Sequence, residues 1–72
     1  MSSKNQVPPR IVDDIITSVG LEFLVVMNKN TTAWMSLETA YIYDSNMVHE
    51  YIQKNYRLMR YPEVAKKING KW

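Results

Sequence analysis

Two adjacent carboxylates, Asp13 and Asp14, are the first side chains in this 72-residue sequence whose types point to chemistry. Paired carboxylates can share a proton in acid–base catalysis or bind a metal ion together. This pair lies in residues 10–17, a segment rich in β-branched residues that predicts a strand. Because neighbouring side chains of a strand point to opposite faces, we do not expect the pair to share a proton or a metal ion.

The single histidine, His49, is the other candidate for chemistry near neutral pH. The chain has no cysteine, so a structural zinc site would lack thiolate ligands. We find no set of nucleophile, base and orienting group, no glycine-rich phosphate loop and no metal-ligand spacing. The sequence therefore predicts a protein that is not an enzyme and that uses no cofactor and no metal.

Positive charge is concentrated toward the end of the sequence. Residues 53–72 contain six basic residues and one acidic residue, a net charge of +5 in a chain whose net charge is +2. A basic end can contact nucleic acid or an acidic peptide. No basic stripe interleaved with aromatics and no known nucleic-acid motif is present, so nucleic-acid binding by this stretch is the alternative function rather than the first hypothesis.

One segment, residues 46–58, has a sustained helical period. Its apolar side chains form one stripe with a single polar interruption at Asn55, and no glycine or proline breaks the run. Ser45 is the expected N-cap. A second, short helix is predicted at residues 62–68, with Pro62 at its first position.

Three strands are predicted before the long helix, at residues 10–17, 21–27 and 31–37. The first is expected to turn Ile11, Ile15 and Ile16 inward, and its two aspartates indicate an edge position or a β-bulge. The turn that follows uses Gly20, which can adopt a positive φ. The apolar run in residues 21–27 indicates that both faces of this strand are covered, and residues 38–43 are interpreted as an aromatic connector packed under the helix start.

The predicted fold class is α+β, a three-stranded antiparallel sheet packed by a C-terminal helix, with a short extra helix. It forms one domain at residues 10–72, with a short C-terminal extension at 62–72, after a disordered tail at 1–9. A chain this short buries only about 60% of its unfolded surface. Self-association is a common way for such a domain to gain buried area. No apolar run approaches the roughly 18 residues of a membrane span.

The order of these elements resembles the chromo and chromo shadow domains of heterochromatin proteins, over about residues 10–61. The resemblance rests on two segments, IVDDIITSVGLEFLVVMNK and VHEYIQKNYRL. Where chromodomains carry the aromatic cage that binds methyl-lysine, this chain has Met27 and then Lys29 or Asn30, so the resemblance favours the shadow branch. Trp34 is similar to the third-strand tryptophan, which the family places in the core.

The resemblance to shadow domains implies a nuclear protein-interaction module that acts in heterochromatin and gene silencing. Such domains dimerise through the C-terminal helix, here with a second copy or a related shadow domain, and bind a partner peptide of P-x-V-x-L type as an added strand. The alternative is that the apolar stripe of the helix packs entirely inside one chain. The predicted dimer-interface residues are His49, Ile52, Tyr56, Val48 and Asn55, and the predicted peptide-binding residues are Leu58, Met59 and Tyr61.

Overall fold

The computed structural model describes residues 8–69 and shows an α+β fold, which confirms the predicted fold class. The sheet is antiparallel, in the order β1-β2-β3. The strands are β1 (Arg10–Thr17), β2 (Gly20–Asn28) and β3 (Thr31–Ser36). The helices are α1 (Leu37–Tyr43), α2 (Ser45–Lys54), a 3₁₀ helix (Tyr56–Arg60) and α3 (Pro62–Asn69). Most of the tail predicted at residues 1–9, and Trp72 at the end of the predicted extension, lie outside the described residues.

β1 is an edge strand with an irregularity near its start. Its pairing with β2 shifts register between Ile11 and Asp13. A charged pair is tolerated at such a place because the bulged strand is paired on one side only and is locally twisted away from the ladder. The structure thus confirms the edge position and the bulge that the adjacent aspartates predicted.

The helices cover one face of the sheet and leave the other open. On β2, Leu21, Phe23 and Val25 are buried under the helices, whereas Leu24 and Val26 on the opposite face are only half-buried. The prediction that both faces of β2 are covered is therefore wrong. The buried residues of all helices in the described chain belong to one core cluster, which lies on the same face of the sheet as Leu21, Phe23 and Val25.

The inward positions predicted for β1 are right at one residue only. Ile11 is buried in the core, but Ile15 and Ile16 are 47% and 49% exposed. Ile15 is opposite Glu22 on the open face. Ile16 is opposite the buried Leu21 but lies on the edge strand, where it stays half-exposed. The β-branched composition predicted the strand correctly and overestimated how much of it is covered.

The segment interpreted as an aromatic connector is a helix, α1. Ser36 Oγ accepts a hydrogen bond from the Thr39 backbone N–H at 3.2 Å, an N-cap that starts the helix directly after β3. Asp44 ends α1 and also caps α2, because its Oδ1 accepts from the Met47 N–H at 3.2 Å. The N-cap of α2 is thus Asp44 rather than Ser45. Ile42, expected to pack under the helix start, is 78% exposed.

The long predicted helix is interrupted after Lys54. Asn55 adopts φ −125° and ψ 60°, outside the helical region, and its Nδ2 donates to the Tyr51 carbonyl oxygen at 2.9 Å. The chain then continues as the 3₁₀ helix, whose Leu58 is buried. An asparagine that hydrogen-bonds nearby backbone competes with helix continuation, which accounts for the break.

α3 docks on the sheet at the β1–β2 turn. Glu63 Oε2 accepts a hydrogen bond from the Leu21 backbone N–H at 3.1 Å, and Val64 is fully buried. An isolated helix of this length would not persist in water. The hydrogen bond to β2 and the burial of Val64 in the core therefore hold it.

The turn at Gly20 gives a first prediction. Gly20 has φ +119°, and a Cβ added there would lie 3.4 Å from Glu63 Oε2. We expect Gly20→Ala to lower the free energy of unfolding by about 1 kcal/mol, because an L-residue is strained at this φ. Urea denaturation measures the loss. Val19→Ala in the same turn is the matched control, since Val19 is largely exposed; equal stability of the two variants would contradict the prediction.

Candidate functional site

Asp14 forms an ion pair with Arg57. Tyr51 Oη donates a hydrogen bond to Asp14 Oδ2. Arg57 approaches the same carboxylate with both nitrogens, Nη2 to Oδ2 at 2.9 Å and Nη1 to Oδ1 at 3.4 Å. This cluster joins β1 to α2 and the 3₁₀ helix. Asp13 points to the opposite face of β1, so the two aspartates do not act together, as predicted.

The three groups of the Asp14 cluster alter each other's ionisation. Burial raises the pKa of Asp14, but the hydrogen bonds from Tyr51 and Arg57 and the Arg57 charge outweigh it, so the pKa lies below its usual value. Burial, followed by the hydrogen bond to Asp14, raises the pKa of Tyr51 above its usual value. The hydrogen bond to Asp14 also raises the pKa of Arg57. Each shift favours the state in which Asp14 is negative and Tyr51 is neutral.

A cleft runs beside this cluster, between the start of β1 and α2, and we call it the β1–α2 cleft. It consists of a hollow of about 380 Å³ and a second of about 140 Å³, which share Pro9, Arg10, Met47 and Glu50 in their walls. Tyr51 forms part of the smaller hollow. The cleft is therefore bordered on one side by an edge strand and on the other by a helix.

The wall of the β1–α2 cleft carries both signs of charge. Arg10 and Lys54 provide cations, and Glu50 and Asp44 provide anions. Met47 and the two prolines give it apolar surface. Such a mixture can bind an extended segment with alternating polar and apolar side chains. Within residues 8–69 it does not amount to a metal site, since no group of three potential acidic, histidine or cysteine ligands occurs there.

Two of the five predicted dimer-interface residues are buried in their own chain. Val48 and Ile52 belong to the core. His49 lies against α1, where its Nε2 is 3.4 Å from Tyr41 Oη and the two rings meet edge to face. Asn55 caps the end of α2. Tyr56 alone is largely exposed, at 70%, so the apolar stripe is used mainly inside one chain, the alternative considered from the sequence.

The three predicted peptide-binding residues differ in exposure. Leu58 is fully buried, and Met59 and Tyr61 pack at the border of the core. The residues of the β1–α2 cleft were not predicted. The prolines before β1 indicated only an extended lead-in, and no periodic pattern in the sequence places Arg10 opposite Glu50.

No helix within the described residues is long and apolar enough to cross a membrane. Comparison of the chain with protein-family models, with curated proteins and with solved structures found no match. Inferences about function therefore rest on the residues and their geometry.

Proposed function

We propose that this chain is a non-enzymatic protein-interaction module that recruits a partner protein by binding an extended segment of it in the β1–α2 cleft. The supporting observation is the position of the cleft at the start of β1, an edge strand that pairs only with β2 in the described chain. An extended peptide can add a strand to such an edge, and side chains beside it then select the sequence. A nuclear location and a role in heterochromatin and gene silencing rest on the resemblance to shadow domains and stay predictions.

Peptide selection tests this proposal. Random 12-residue peptides displayed on phage would be selected on the immobilised chain, and enriched peptides titrated by calorimetry. We expect amide shifts in residues 10–14 and 44–54, and at least tenfold weaker binding to Glu50→Lys, which reverses a charge in the cleft. Gln53→Lys is the matched control, because Gln53 is exposed on the same helix outside the cleft. If binding to Glu50→Lys is unchanged, or the shifts map elsewhere, the cleft is not the binding site.

Self-association through α2 stays a prediction, and in this structure it would depend on Tyr56. Ile52→Glu would disrupt the core of one chain and is not diagnostic. If α2 forms the interface, Tyr56→Glu should increase the dimer dissociation constant at least tenfold, because it places a charge in a desolvated contact. Sedimentation equilibrium measures this, with Gln53→Glu as the control. An unchanged dimer mass for Tyr56→Glu would exclude this interface.

The exposure of the basic stretch favours nucleic-acid binding as a second candidate function. The basic side chains between residues 54 and 67 are all exposed: Lys54, Arg57, Arg60, Lys66 and Lys67. A gel shift with duplex DNA or RNA separates this function from peptide binding. Phosphate contacts should weaken steeply between about 50 and about 200 mM salt, whereas a peptide paired with β1 should remain bound.

A further inference from the structure

The β1–α2 cleft carries different charges at its two ends. Its larger hollow reaches Asp44, the N-cap of α2, and its smaller hollow reaches Lys54, the last residue of that helix. Arg10 and Glu50 border both hollows, so their opposite charges do not distinguish one end from the other. The cleft is therefore more acidic at the end near Asp44 and more basic at the end near Lys54.

The charged groups beside the cleft leave this difference in place. Asp14 lies next to Tyr51 in the wall of the smaller hollow, but it is paired with Arg57, so the two together add little net charge. Asp13 lies on the opposite face of β1. Among residues 8–69, the Lys54 side chain has no hydrogen-bond or ion-pair partner. Its ammonium group is therefore available to a ligand of the cleft.

The distance between the two ends matches an extended peptide. Asp44 and Lys54 are ten positions apart along α2, which corresponds to about 15 Å at 1.5 Å per residue. A strand rises about 3.3 Å per residue and directs every second side chain to the same face. Side chains four positions apart, separated by about 13 Å, can therefore reach both ends. The side chain midway between them lies over Pro9 and Met47, the apolar residues that the two hollows share.

The direction of the chain entering β1 determines the order of the charges in such a peptide. Pro8 shares the larger hollow with Asp44, whereas Ile11 shares the smaller hollow with Lys54. This part of the chain and α2 therefore run in the same direction. Antiparallel strand pairs are more common than parallel pairs and slightly more stable. A peptide that pairs antiparallel to β1 starts near Lys54 and ends near Asp44, so its acidic residue precedes its basic residue.

We propose that the β1–α2 cleft selects an extended partner segment in which an acidic residue lies four positions before a basic residue, with an apolar residue midway. The acidic side chain pairs with Lys54, the basic one pairs with Asp44, and the apolar one packs on Met47 and Pro9. The choice of this segment rests on the proposed function, since it specifies the sequence that the cleft binds. Complementary charges of this kind determine orientation and register more than they raise affinity.

Two peptides of identical composition test the order of the charges. Both have glycine–serine ends with blocked termini; the acid-first peptide contains Asp-Thr-Val-Thr-Lys and the base-first peptide contains Lys-Thr-Val-Thr-Asp. Calorimetry at pH 7 and about 50 mM salt, where surface charges are less screened than at physiological salt, measures both dissociation constants. We expect the acid-first peptide to bind about fivefold or more tightly, because the reversed order places like charges together at both ends of the cleft.

Charge changes in the chain assign each end of the peptide to its residue. Lys54→Glu should weaken the acid-first peptide about fivefold, and a peptide with Lys in place of its Asp should recover most of that loss. Lys66→Glu is the matched control, because it makes the same charge change on α3, outside the cleft. Asp44→Asn should weaken binding several-fold, although its amide oxygen can still accept from the Met47 N–H and cap α2.

Four outcomes would overturn the proposal: equal affinities for the two peptides, tighter binding of the base-first peptide, no binding of either at about 1 mM, or no larger effect of Lys54→Glu than of Lys66→Glu. Amide spectra confirm that each variant is folded, and if Asp44→Asn does not fold, Lys54→Glu alone decides. Phage-selected peptides that bind in the cleft without this charge order would leave the proposed function intact. Selected peptides that bind elsewhere would overturn both.

Discussion

Phe23→Ala should remove most of the stability of this domain. The Phe23 side chain is fully buried at the centre of β2, and its ring meets Tyr51 edge to face with centroids 5.5 Å apart. Truncating a buried phenylalanine costs about 3–5 kcal/mol. A domain of this size has a total stability of roughly 4–11 kcal/mol. We therefore expect a variant that is largely unfolded, or one that unfolds at very low urea concentration.

Trp34→Ala is the matched control for Phe23→Ala. Trp34 lies one strand away, on the open face, where its main partner is Leu24 on β2. The loss of such a cross-strand pair costs up to about 1 kcal/mol. Urea denaturation of both variants at low micromolar concentration, with amide spectra, measures the difference. If Trp34→Ala costs as much as Phe23→Ala, the core lies on the face that the structure leaves open.

This comparison also tests one of the points at which the family resemblance and the structure disagree. The resemblance places Trp34 in the core, whereas the structure exposes nearly half of it. The sequence could not decide, because β2 carries large apolar residues on both faces, with Phe23 on one and Leu24 on the other. When both faces of a strand are apolar, only the packing of the helices determines which of them is buried.

The sequence predicted correctly those features of the fold that depend on the backbone preferences of a few neighbouring residues. The β-branched run of β1, the aspartates at its bulge, the positive φ of Gly20 and Pro62 at the start of α3 were all recognisable. Each depends on a residue whose own backbone preference restricts the structure. The bounds of these elements could therefore be predicted closely from the sequence.

The helical region shows why the candidate site could not be predicted in the same way. Asp44 ends one helix and starts the next, so α1 was hidden in an apparent connector. Periodicity showed that Val48 and Ile52 share an apolar stripe, but it does not show whether that stripe packs in its own chain or in a second one. The β1–α2 cleft depends on residues about 40 positions apart, such as Arg10 and Glu50, which no local pattern brings together.

Asp14→Ala should have the largest effect of any change outside the core. The Asp14 side chain is 12% exposed and accepts hydrogen bonds from Tyr51 and Arg57. Its removal leaves the Tyr51 hydroxyl without its acceptor, and a hydrogen bond to a charged group contributes about 1.5–3 kcal/mol. The Tyr51 bond supplies most of this, because the exposed Arg57 is screened by water. Urea denaturation at pH 7 measures the loss, and Asp13→Ala, on the opposite face of β1, is the control.

The pH dependence identifies the ionised carboxylate as the source of the effect. The pKa of Asp14 is lower in the folded state than in the unfolded chain. Its contribution to the free energy of unfolding is therefore present above the unfolded pKa of about 4 and is lost as the pH falls through the folded pKa. The wild type should therefore lose its advantage over Asp14→Asn in acid. The pKa of Tyr51 is raised in the folded state, so its effect is seen in alkali. Its contribution to the free energy of unfolding is present below about pH 10 and is lost as the pH rises through the folded pKa.

A double-mutant cycle between Asp14→Ala and Tyr51→Phe then separates this bond from packing, because alanine, unlike asparagine, leaves the Tyr51 hydroxyl without an acceptor. If the two groups act through their hydrogen bond, the double variant should be no less stable than the weaker single variant, because the second change removes a partner already lost. Because phenylalanine keeps the ring, a Tyr51→Phe variant as stable as the wild type would show that Tyr51 stabilises the domain through its ring against Phe23 alone. In that case the cluster would not hold β1 to α2, and the wall of the β1–α2 cleft would depend on packing rather than on charge.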